Sequence, residues 1–200
     1  MRNLNTLATI LLLVCPAIAG ETDYFPHGIL AEKPQMSEFR EQWYAKELKV
    51  LKEPSLWELS KTQQKAETYR FLWLRSFHPA ISIRIDVNDD GSATVTIKSN
   101  NNKGRGKPEK LVKTKIRRLT DEQTQLFLDR VSDWGFWAQP TIEKTDVMGA
   151  DGARWILEGV KSRKYLILDR WSPTAGPVRD LGTYMLFVIA DLKLLYTEVY

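Results

Sequence analysis

Glu158 and Asp169 are the residues whose type and spacing come closest to reaction chemistry. They lie on successive apolar runs, 154–160 and 165–171, joined by Lys161-Ser-Arg-Lys164, a pattern that predicts a β-hairpin. With Val160 opposite Tyr165, the side chains of Arg154, Glu158 and Asp169 share one face, and the two carboxylates are diagonal neighbours. Such a pair can divide acid and base roles, as glycoside hydrolysis requires. Ion pairing with Arg154 is the commoner use of the same arrangement. The expectation is therefore no catalytic residue, with a carboxylate-based hydrolase using Glu158 and Asp169 as the alternative. On the other face of the hairpin, Arg170 is placed to stack on Trp155.

Other reaction chemistries find little material. Cys15 is the only cysteine, and His27 and His78 are the only histidines. Neither histidine has the company of a triad or of a zinc site. No Walker loop, GxGxxG or GxSxG occurs, so no cofactor is expected. Asp86-x-Asn88-x-Asp90-Gly91 imitates the first half of a calcium loop. Its twelfth position is Ile97 instead of a carboxylate, and its flanks alternate like strands. A hairpin turn explains these residues better, and no metal is expected.

The strongest anomaly in composition is basic. Residues 98–118 hold nine Lys and Arg against one acid, Glu109. Lys113, Lys115 and Arg117 alternate with Val112, Thr114 and Ile116, which puts the cations on one side of a strand. If neighbouring strands turn their polar sides the same way, Arg84, Lys98, Lys113, Lys115 and Arg117 share a sheet face. Lys103, Arg105 and Lys107 extend it into a Gly-containing loop. The functional reading of these residues is a binding surface for an acidic protein partner or an anionic envelope component. A solvated face that keeps the protein soluble and guards an edge is the commoner use of such a strand.

The choice of anion follows from the first nineteen residues. Arg2 precedes the apolar run 7–15, and Ala17-Ile-Ala19 closes it, the pattern of a secretory signal cut after Ala19. The run is too short to span a bilayer, so the processed chain is expected to be periplasmic or secreted and not an integral membrane protein. Cleavage also removes Cys15, leaving a fold without disulfides and excluding thiol catalysis. Nucleic acid is not an expected partner, and the net charge of +4 over 200 residues is too small to argue for one.

The elements that would hold these residues follow from periodicity. Residues 20–36 read as an irregular arm, and 37–200 as a single domain. Ser37 is expected to cap a helix to about Lys52, with Phe39, Trp43, Tyr44, Leu48 and Leu51 on its apolar face. Ser55-x-x-Glu58 and Thr120-x-x-Gln123 have capping-box spacing. Residues 69–77, apolar on both sides, predict a central strand. Residues 81–87, 93–98 and 111–119 predict three more. A last helix is expected over 178–196, carrying Leu181, Met185, Val188, Leu192 and Leu195 on one face. Together these give an α+β fold: an antiparallel sheet of about six strands, a four-stranded meander plus a hairpin, with helices packed on it.

Overall fold

The computed structural model describes residues 23–101, 109–143, 149 and 151–200. The predicted signal peptide lies outside the described residues, as do Lys103, Arg105 and Lys107. The fold is the α+β arrangement expected. Six antiparallel strands form one sheet in the order β4-β3-β2-β1-β5-β6. They are β1 (Glu67–Arg75), β2 (Ile81–Val87), β3 (Ala93–Asn100), β4 (Leu111–Leu119), β5 (Ala153–Lys161) and β6 (Lys164–Trp171). The first four form the meander, and the β5–β6 hairpin docks on the free side of β1. That docking explains why β1 is apolar on both faces: it sits mid-sheet and both faces are covered. The β5–β6 turn uses Ser162 and Arg163, both in the left-handed region (φ +47° and +68°), and Val160 pairs with Tyr165. Two positive-φ central residues match the twist of a tight hairpin.

Two hydrophobic cores follow from the two faces. On one, Phe71, Trp73, Ile83, Val95, Trp155 and Leu168 meet α3 (Asp121–Asp133) and α4 (Pro177–Tyr184). On the other, Leu72, Leu74, Ile156 and Ile167 meet α1 (Pro34–Val50) through Tyr44 and Leu48. The short α2 (Leu56–Thr62) follows α1, capped by Ser55, whose Oγ accepts from the Glu58 N–H at 3.1 Å. The Thr120–Gln123 capping box opens α3 as expected.

Three local expectations are corrected. The first helix begins at Pro34, with Lys33 as N-cap, because proline fits the first turn. Ser37 lies inside it, and its Oγ accepts from Leu30 N–H at 2.8 Å and donates to Glu41 at 2.7 Å. The buried face of α1 is Ser37, Arg40, Tyr44, Glu47 and Leu48, while Phe39 is exposed. Within the expected arm, residues 23–33 are irregular but packed, with Phe25 and Leu30 in the second core. Finally, the last helix stops well before residue 196. A π turn spans Met185–Ile189, and Asp191 at φ +49° turns the chain away. Val188 and Leu195 are exposed rather than part of a buried stripe. No helix among the described residues is long and apolar enough to cross a membrane.

Candidate functional site

Glu158 and Asp169 do share a sheet face, since Glu158 pairs with Ile167 and Ile156 with Asp169. Both are fully buried, and each is closed on its own set of partners. Arg70 donates to Glu158 Oε2 from Nε at 2.8 Å and from Nη2 at 2.5 Å, and Tyr165 Oη donates to Oε1 at 2.9 Å. Burial, then the Glu158 charge, pushes the Tyr165 phenol well above its ordinary range, so it remains a donor. Asp169 takes Tyr44 Oη at 2.8 Å, Arg154 Nη1 at 3.3 Å and Arg40 Nη1 at 3.4 Å. Asp169 thus ties α1 to the sheet, while Glu158 ties β5 to β1 and β6 within it. A fully buried carboxylate held by arginine serves as an ion-pair partner and is not presented to a substrate at the surface.

The sequence pointed to Arg154 as the partner of both acids. Arg70 is the partner it missed for Glu158, and the signal was there: one cation within the apolar run Tyr69-Arg-Phe-Leu-Trp demands a buried anion. Arg179 is the cation over Trp155, 4.8 Å from the ring centre, whereas Arg170 donates to the carbonyls of Pro140 and Thr141 at 2.7 Å each.

The expected basic face is split by the register. Arg84 pairs with Thr96 and Ser82 with Lys98, which places Arg84 and Lys98 on the α1 side of the sheet. Lys113, Lys115 and Arg117 pair with Ser99, Ile97 and Val95, which places them on the opposite side. The assumption that failed is that polar sides align across strands. Core residues of β2 and β3 point toward α3 and α4, and β4 turns its cations the same way at the uncovered end of that layer.

Arg84 and Lys98 are occupied. Glu53, fully buried in the α1–α2 turn, takes Lys98 Nζ at 2.8 Å and Arg84 Nε at 3.1 Å, with Arg70 at 3.9 Å. Arg84 also pairs with Asp86 at 3.1 Å, and Thr68 donates to Asp86 at 3.1 Å. The other acid of the calcium-like turn, Asp90, binds Ser92 and Arg118. Gly91 at φ +84° lets the β2–β3 turn close.

Lys113 and Lys115 are different. Both are exposed, and neither has a salt-bridge partner among the described residues. Arg117 Nη1 donates to Ile189 O at 2.8 Å and so holds the segment after the π turn against the sheet. Between that segment and β4 lies a groove of about 350 Å³, lined by Ile81, Ile97, Lys113, Lys115, Leu192 and Leu194. Its floor is apolar and its lip is charged. Lys193 pairs with Asp191 at 2.6 Å. The Lys193 hydrogen bond and charge, then Lys115 and Arg117, hold the Asp191 carboxyl below its usual range. The site therefore has a net positive lip over an apolar floor, fit to hold an anion with attached apolar groups. No protein-family model matches the chain, and no curated protein matches its sequence.

Proposed function

We propose that this chain is an exported, non-catalytic binding protein that contacts an acidic protein partner through β4. The observation that carries this reading is the pair of exposed lysines, Lys113 and Lys115, without salt-bridge partners beside an apolar-floored groove. Most other charges of the sheet are consumed by intramolecular pairs: Arg84 and Lys98 by Glu53, Arg70 by Glu158, Arg154 by Asp169. Charges left unpaired at an exposed edge are the ones able to meet a partner. A protein is favoured over a lipid surface because the apolar floor lies in a groove behind the lysines and not on a projecting face. Against hydrolysis stands the burial of both Glu158 and Asp169 in ion pairs.

Export is tested by the intact mass of the secreted protein, which is expected to begin at Gly20; a mass retaining residues 1–19 contradicts it. Binding is tested with a fluorescent hexaglutamate peptide. The wild type is expected to bind it with an affinity that falls as salt is raised, and Lys113→Glu/Lys115→Glu to bind at least about tenfold more weakly. Thermal stability is expected to change little, because neither side chain is in a structural pair. Equal binding by the two proteins contradicts the reading. Arg117 is left intact in this variant because it holds the chain at Ile189.

A further inference from the structure

We infer that the partner adds an acidic strand to the free edge of β4, with carboxylates alternating with apolar residues; this rests on the acidic-partner reading above. The sheet has two edges. At β6, the segment before β5 lies alongside: Asp169 N–H donates to Thr141 O at 2.9 Å, and Arg170 Nη1 donates to the same carbonyl. At β4, no described residue pairs with the outer edge. An edge strand presents a row of unpaired N–H and C=O groups, which is a template for another strand.

The side chains of β4 say which strand fits. The β3–β4 register shifts at Ser99/Asn100, leaving Lys113–Leu119 as the regular stretch, about 23 Å long at the usual rise per residue. No proline interrupts it. On one side it shows Lys113, Lys115 and Arg117. On the other it shows Thr114, Ile116 and Arg118, with Ile116 66% exposed and Arg118 already paired with Asp90. A strand paired here sets its own alternate side chains beside these two rows. Carboxylates meet the cations, and apolar groups cover Ile116. A second copy of this chain is disfavoured, because β4 against β4 brings the two cationic rows together. The lysines thus exclude generic strands and copies of the same chain while admitting an acidic one.

The test uses the exported chain and a labelled peptide of about seven residues alternating Glu with Val. A peptide of the same composition with its Glu and Val in separate blocks is the control. Two further peptides carry N-methyl groups on alternate residues, one in each register. The alternating peptide is expected to bind at least about tenfold more tightly than the block peptide. N-methylation in one register is expected to abolish binding and in the other to spare it, since a strand turns alternate amides toward its neighbour. If both N-methylated peptides bind like the parent and the block peptide binds equally, backbone pairing is overturned while the acidic-partner reading stands. If no acidic peptide binds, both fall. Binding only to phosphatidylglycerol vesicles points to a membrane surface and overturns both. A concentration-dependent dimer of the chain alone shows that the edge accepts its own kind and overturns the acidic-strand inference.

Discussion

Glu47 shows how a single buried group sets the response of this fold to pH. It sits on the inner face of α1, and Asn100 Nδ2 lies 3.2 Å from its carboxylate and 2.8 Å from that of Glu109. Burial first, and the Glu109 charge second, push the Glu47 carboxyl up to about 7; Lys46 opposes this weakly. The folded chain therefore keeps a proton that the unfolded chain releases near pH 4.5. The stability this group contributes is present at low pH and is lost as pH rises from about 4.5 to about 7. Glu47→Gln, which stays neutral, is expected to flatten the dependence of unfolding free energy on pH across that window and to raise the melting temperature above it. An unchanged pH profile in urea unfolding contradicts this account. Nothing local in the sequence marked Glu47, because its partners are 53 residues away at Asn100 and further at Glu109. For Arg70 the apolar run marked the need for a buried anion, but not that Glu158, 88 residues away, supplies it. Local patterning gives a residue's face; it does not give what that face meets.

Elements were more legible where their signals are local. The Thr120 capping box, the β2–β3 turn at Gly91 and the β5–β6 register all follow from adjacent residues. The buried face of α1 departed from expectation for tertiary reasons. Tyr44 and Leu48 bury α1 by a face that includes Arg40 and Glu47, so hydrophobicity alone misplaced it by including Phe39. The docking of α4 depends on a small residue. A Cβ placed on Gly182 lies 2.6 Å from Trp155 Cε3 and 3.2 Å from Phe71 Cζ. Trp155 has little freedom to yield, since its Nε1 donates to Tyr200 O at 2.9 Å and Arg179 covers its ring. Gly182→Ala is thus expected to destabilise the protein by about 1–3 kcal/mol through overpacking. The gain in helix propensity from glycine to alanine, about 1 kcal/mol, opposes this cost without exceeding a rigid clash. Urea unfolding measures the difference, and a variant as stable as the wild type shows that α4 can shift off Trp155.

For the molecule as a whole, the arrangement of layers decides where free charge remains. α3 and α4 cover one face and α1 the other, centred on β1, β2, β5 and β6. β4 is the strand least covered by either layer, and most of its side chains from Val112 to Ile116 are exposed. Intramolecular ion pairs absorb Arg70, Arg84, Lys98 and Arg154 in the interior, so Lys113 and Lys115, which form no salt bridge among the described residues, fall at the open edge. Alternation in residues 112–117 made a basic strand legible but not this division, because the division is made by register and by Glu53. The most direct test is an NMR titration of the ¹⁵N-labelled chain starting at Gly20 with hexaglutamate. Amide shifts that cluster at residues 113–118 and 190–194, and vanish in Lys113→Glu/Lys115→Glu, are the predicted result. Shifts centred on Arg84 and Lys98 across the sheet, or no saturable shifts at all, contradict it.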